Sequence, residues 1–200
     1  MNRCLLCEQQ IDRRPTWQGL LGVEKKQHLC VACSKSFQRA DIIEEGEIFD
    51  RVHSLYDYNE AMREFFHQYK FLQDIALAAV FADDLRTILK GRKVVVPIPM
   101  HPLKRVERTF AHVDELLTRA SISFHQLLDK SSTDVMGEKT REERLAMEPL
   151  FKLKEEAVIE PITYTIVDDI YTTGTTLKQA AAVLKESGAA RVEAVTLIRA

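Results

Sequence analysis

The chain has 200 residues, 46% of them hydrophobic and 29% charged, with a formal net charge of −2. That length allows one α/β domain with a small appendage, and that composition excludes a disordered chain. The near-neutral balance excludes a global pull toward DNA or anionic lipid, so any such binding must come from a local patch. No apolar run approaches the length of a membrane span. The N-terminal MNRCLLCEQQ lacks the apolar core of a signal peptide, which predicts a cytoplasmic protein.

All four cysteines lie near the N-terminus: Cys4, Cys7, Cys30 and Cys33, two C-x₂-C pairs separated by 22 residues. Paired thiolates at this spacing can close a tetrahedron around a structural Zn²⁺. The gap is slightly longer than in the usual ribbon, and loop closure grows costly only slowly with length. Disulfides are one alternative, disfavoured in a reducing cytoplasm. A redox C-x₂-C is another, but here it precedes any βα unit. His28 reads as a surface residue. So short a segment has little core, so metal binding would supply its folding free energy. Trp17, Leu20 and Leu21 are expected to pack against the ribbon or the next domain. The charged stretch DIIEEGE marks the boundary, giving a zinc-ribbon-like domain over residues 1–43 and a second domain over 44–200.

Residues 48–58 read as a strand. Asn59 then caps a helix carrying Met62, Phe65, Phe66 and Tyr69 on one face. A second helix is expected over residues 74–89, with Ala78, Phe81, Ala82, Leu85 and Leu89 inward. The run Val94 to Ile98 is continuously apolar, as in a strand buried on both faces, and Pro97 and Pro99 end it. The segment after it gathers Lys104, Arg105 and Arg108. A charge run of this kind is ordinarily a solvated helix start. Its place after a buried strand also suits a pyrophosphate or a nucleic acid in the ligand crevice. A helix through Val113, Leu116 and Leu117 and a short strand over residues 122–127 follow. Residues 129–148 are polar and long for a connection. Lys139, Arg141 and Arg144 in that stretch suit phosphate or nucleic acid, or equally salt bridges to Glu138, Glu142 and Glu143.

The stretch YTIVDDIYTTGTTL, from Tyr164 to Leu177, organises the chain. Tyr164 to Val167 read as a short strand with Asp168 and Asp169 following its end. Ile170 and Tyr171 lead into Thr172, Thr173, Gly174, Thr175 and Thr176. A helix then begins, with Leu177, Ala180, Ala181 and Leu184 on one face. A helix N-terminus attracts phosphate through unpaired N–H groups and positive partial charge. Gly174 lets the backbone approach, and the Thr hydroxyls can donate. Asp168 and Asp169 accept only, which suits ribose hydroxyls or hydrated Mg²⁺. Ordinary capping also places Thr and Gly before helices. Neither G-x-x-x-x-G-K-[ST] nor G-x-G-x-x-G is present. The helix is expected to end at Gly188, and residues 191–198 form the last strand.

The run IVDDIYTTGTT resembles the ribose-phosphate signature of type I phosphoribosyltransferases. In that family the acidic pair holds the ribose hydroxyls of phosphoribosyl pyrophosphate and the loop holds its 5-phosphate. The Cys₄ ribbon, Lys70-Phe71, the VPIP strand end, the basic segment to Phe110, the REERL stretch and this motif together resemble the ComF family of late competence proteins. The resemblance implies an α/β fold, a mostly parallel sheet flanked by helices behind a small Cys₄ zinc ribbon. It implies a role in uptake of single-stranded DNA in natural transformation, with recruitment to the membrane-associated uptake machinery. It also implies a DNA-translocating ATPase like ComFA as partner, and phosphoribosyl pyrophosphate with Mg²⁺ as ligand. Fold analogy alone suggests an active, amidophosphoribosyltransferase-like enzyme acting on a nitrogen nucleophile. Asp168 and Asp169 are then the candidate catalytic pair. Where many members carry Arg-Gly-Phe-Asn-Gln, this chain has Arg108-Thr109-Phe110-Ala111-His112, and Met136 and Met147 stand for a Gln and an Asn. These changes remove polar groups while the phosphate loop is untouched, which favours retained binding over retained transfer.

Overall fold

The computed structural model describes residues 3–11, 17, 27–46, 48–130 and 150–200. A five-stranded sheet carries the molecule, in the order β1 (Arg39–Glu44), β2 (Arg51–Asp57), β7 (Arg191–Arg199), β6 (Thr163–Tyr171) and β3 (Val94–Pro97). The β2–β7, β7–β6 and β6–β3 pairs are parallel, and only β1 runs antiparallel, at the edge. A two-stranded antiparallel ribbon, β4 (Leu128–Lys130) with β5 (Phe151–Leu153), stands apart. This is the mostly parallel α/β architecture expected from the sequence. The boundary expected at residues 43 and 44 falls inside β1.

Both sheet faces are covered, so the central strands are apolar throughout. Along β3 the side chains alternate, Val95 into one layer and Val96 into the other. The first layer comprises α2 (Glu60–Phe66), a π turn (His67–Phe71), a 3₁₀ turn (Ile75–Ala79), α3 (Ala82–Ile88) and α5 (His112–Arg119). The second holds α6 (Thr175–Glu186) and the β4–β5 ribbon. Leu177, Ala180, Ala181 and Leu184 are buried along α6, as their spacing predicts. Asn59 caps α2, its side-chain oxygen accepting from the Met62 N–H at 3.0 Å.

Several elements differ from expectation. The strand β6 runs nine residues, so the acidic pair lies within it rather than past its end. Its ladder with β7 persists through Asp168↔Thr196 to Tyr171↔Arg199. The helix expected over residues 74–89 is broken at Phe81, whose backbone (φ −103°, ψ 12°) leaves the helical range. Phe81 is buried against the rings of Phe37, Tyr56 and Phe65. Residues 122–127 form no strand; the His125 N–H donates to the Val95 carbonyl at 2.8 Å, and β-pairing begins only at Leu128. Helix α6 stops at Glu186, with Gly188 just beyond at φ +111°. Trp17 is 83% exposed rather than packed. Leu20, Leu21, Lys139, Arg141, Arg144, Met136 and Met147 lie outside the described residues. No described helix is long and apolar enough to cross a membrane.

Candidate functional site

The carboxyl ends of β6 and β3 lie side by side, where a parallel sheet ordinarily has its ligand crevice. Alternation along β6 sends Ile166 into the α6 layer and Val167 into the other. The same alternation separates the two acids: Asp168 faces the α6 side and Asp169 the α2–α5 side. Asp169 is buried and forms an ion pair with Lys70 from the π turn. Asp168 accepts a hydrogen bond from the Asp169 N–H at 2.8 Å. Its carboxyl is pushed up to about 7, first by burial and then by the neighbouring Asp169 charge. Lys70 and Lys130 oppose that rise from either side of the sheet. Neither lysine was expected at the site from the sequence. A carboxylate inside a buried strand was the available signal, because such a group calls for a counter-charge.

Beyond β6 the chain turns through Thr172 and Thr173 into α6. Gly174 has φ +74°, and a Cβ there would lie 2.6 Å from the Tyr171 ring. The tight approach that requires glycine is therefore to Tyr171, not only to a ligand. The first helical bond runs from the Lys178 N–H to the Gly174 carbonyl. The amides of Thr175, Thr176 and Leu177 therefore have no partner in a preceding turn. The Thr173 and Thr175 hydroxyls lie 2.9 Å apart, both exposed, and the Thr175 N–H donates to Thr173 Oγ1 at 3.4 Å. Arg199, also unforeseen, braces the loop. Its guanidinium stacks 4.4 Å from the Tyr171 ring and donates to the Thr172 carbonyl at 2.7 Å and to Glu44 at 2.8 Å. Acceptors near the strand end and donors at the helix start thus lie within one short stretch of chain, residues 168–176.

The basic segment forms α4 (Pro102–Glu107), beyond the end of β3. Lys104 and Arg105 are exposed. Arg108 lies 5.3 Å above the ring of Phe71, itself 64% exposed. Arg108 Nη1 also lies 3.5 Å from His112 Nδ1. His112 is buried, and burial with the charges of Lys70 and Arg108 holds its pKa down to about 4. A neutral imidazole therefore stands beside the Lys70–Asp169 pair.

At the N-terminus the four cysteine sulfurs lie within 4.8 Å of one another. Cys7 Sγ and Cys30 Sγ are 3.7 Å apart, near the roughly 3.8 Å edge of a tetrahedron with Zn–S of about 2.3 Å. No disulfide joins them. Burial disfavours the Cys4 thiolate, yet the backbone N–H groups of Cys30, Cys7 and Leu6 hold its pKa down to about 6. Burial and the other three sulfurs push Cys33 up. Four thiols this close favour successive ionisation only around a cation, so this donor set fits a soft metal.

Sheet, crevice and loop together define a phosphoribosyltransferase fold. Residues 70–200 match the family described as the phosphoribosyl transferase domain. Over 222 aligned positions the chain is 32% identical to competence protein ComFC of Streptococcus pneumoniae (strain ATCC BAA-255 / R6), covering 98% of this chain and all of the relative. It is 29% identical to competence protein ComFC of Bacillus subtilis (strain 168), covering 98% and 94%. Among solved structures, orotate phosphoribosyltransferase from Aeropyrum pernix aligns at TM-score 0.39 and 20% identity, covering 82% of this chain and 76% of that one. A hypoxanthine phosphoribosyltransferase from Staphylococcus aureus aligns at TM-score 0.36 and 19% identity, covering 64% of each. The chain belongs to the ComFC family of competence proteins, which carries a phosphoribosyl transferase domain.

Proposed function

We propose that this protein serves DNA uptake in natural transformation and binds phosphoribosyl pyrophosphate, or a related sugar phosphate, in its crevice. The observation that carries the binding half is the acidic pair near the carboxyl end of β6, two residues ahead of the Thr-Gly loop and the α6 N-terminus. Asp168 and Asp169 accept from the ribose hydroxyls. The amides and hydroxyls of residues 172–176 hold the 5-phosphate, and Tyr171 with Arg199 keeps the loop in shape. The same carboxylates are hard oxygen donors that suit Mg²⁺, which would neutralise a pyrophosphate. Cys4, Cys7, Cys30 and Cys33 hold a structural Zn²⁺.

The uptake half rests on the relatives, which are competence proteins over essentially the whole chain. Its partner is a ComFA-like DNA-translocating ATPase at the membrane-associated machinery. A weak, salt-dependent contact with single-stranded DNA fits the exposed Phe71 ring beside Arg108, with Lys104 and Arg105 on α4 just before it.

One observation favours a second reading, an active transferase acting on a nitrogen nucleophile. Asp168, poised near 7, is a carboxyl able to take a proton at neutral pH. Calorimetry with phosphoribosyl pyrophosphate and Mg²⁺ tests the binding half, and absence of heat at millimolar ligand with folded protein defeats it. Rapid pyrophosphate release on adding ammonia, glutamine or a nucleobase would replace the accessory role with the enzymatic one. A deletion strain that transforms normally would remove the uptake role.

A further inference from the structure

Lys70 meets the acidic pair from the opposite layer, and its ammonium is shielded where it does so. Its Nζ pairs with Asp169 Oδ2, and the two side chains are 16% and 12% exposed. An ion pair this far from solvent is little screened by salt. Three features fix the ammonium. The π turn places residue 70 out of ordinary α register, a local departure often found at functional sites. The preceding Tyr69 is fully buried, and its hydroxyl donates to the His112 carbonyl at 2.7 Å. The Phe66 ring lies 4.3 Å from Nζ, a cation–π contact. His112 beside it is buried and neutral, so it does not compete for Asp169.

We propose that Lys70 is the resident counter-cation of the acidic pair: its ammonium holds at Asp169 the place of a metal ion. The site then takes a ribose 5-phosphate without metal, and it admits a divalent ion only as the ammonium withdraws. This rests on the sugar-phosphate reading above. At pH 8 and above, where Asp168 is ionised as well, the two carboxylates and the Lys70 ammonium carry a charge of −1, and the Mn²⁺ comparison is made there. Without the ammonium they carry −2, and the attraction for a divalent cation rises accordingly. Ribose hydroxyls need only acceptors, and Asp168 with the second oxygen of Asp169 supplies them. The 5-phosphate is met by the loop. Only a ligand bearing pyrophosphate requires Mg²⁺, and it brings that ion with it.

The test uses zinc-loaded, full-length protein and Mn²⁺ read by electron paramagnetic resonance. Asp168→Asn with Asp169→Asn gives the background. Lys70→Gln is expected to bind Mn²⁺ at least tenfold more tightly than the unmodified protein, and Lys70→Arg to bind it as weakly. Lys70→Met serves if the Gln variant does not fold. Equal Mn²⁺ binding by the unmodified and neutral variants, including none by either, overturns the proposal. In buffer stripped of free divalent ions, calorimetry should show ribose 5-phosphate binding to the unmodified protein, and to Lys70→Gln only after Mn²⁺ is added. A metal requirement in the unmodified protein also overturns it. Failure of the unmodified protein to bind ribose 5-phosphate under any condition removes the sugar-phosphate reading instead, while the Mn²⁺ comparison still decides the role of Lys70.

Discussion

Gly174 answers two demands at once: a left-handed backbone, and a tyrosine ring where a Cβ would sit. Gly174→Ala should therefore lower stability by roughly 1–3 kcal/mol, from left-handed strain and the displaced Tyr171 ring. Urea unfolding checks this, and an unchanged midpoint would mean that the loop repacks freely. Phosphate binding should fall in the same variant, because Tyr171 and the loop amides move together. Asp168 offers a second residue-scale prediction. Its folded pKa, about 7, lies above the ordinary aspartate value of 3.8. Between those values the folded chain binds more protons than the unfolded one, so stability falls as pH rises from about 4 to 7. Asp168→Asn removes this loss. The variant should match the unmodified protein near pH 4 and exceed it at pH 8 by roughly 1–2 kcal/mol, below the full shift because the carboxyl is partly exposed. It should also lose sugar-phosphate affinity. Denaturation at the two pH values decides the sign.

At the scale of elements, periodicity revealed α2, α5 and α6, and composition revealed β3, the start of β6 and β7. The spacing of Leu177, Ala180, Ala181 and Leu184 carried α6, and Asn59 marked the start of α2. The extent of β6 was hidden because two adjacent carboxylates contradict a buried strand, and apolar pattern cannot report a counter-charge, Lys70 on Asp169, arriving from 99 residues away. The loop chemistry of TTGTT was legible, since it is local. The Lys70 and Arg199 contacts were not, since they depend on which elements the topology sets side by side. The π turn was also invisible: Tyr69 continues the apolar face of α2, while the extra residue per turn follows from tertiary anchoring. That anchoring is testable. Tyr69→Phe leaves the buried His112 carbonyl without its donor and should destabilise by about 1–2 kcal/mol. If thermal unfolding instead matches the unmodified protein, the turn is held by packing alone.

At the scale of the molecule, the cysteine cluster is not an independent appendage. Cys4, Ile11, Leu29 and Phe37 belong to the same buried cluster as Phe65, Tyr69 and Phe81. A polar tie crosses as well, Asn59 donating to the Ser36 carbonyl at 2.8 Å, while inside the cluster the Leu5 N–H donates to the His28 carbonyl at 2.9 Å. The two cysteine knuckles are each closed by their own backbone, Glu8 N–H to Cys4 and Ser34 N–H to Cys30, both at 2.9 Å. What joins knuckle to knuckle is chiefly the four sulfurs. With the proposed zinc removed, four thiols in near contact would lose their common partner, and the wall they form beside the aromatic core would loosen. A zinc ribbon standing apart from the sheet would confine such damage to itself. The shared core instead predicts that it spreads. Cys30→Ser should lower metal content from about one zinc per chain, and it should lower the melting temperature of the whole chain in one cooperative transition. Elemental analysis measures the first effect and scanning calorimetry the second. Two separate transitions, with the upper one unmoved, would show that the sheet and its crevice stand without the metal.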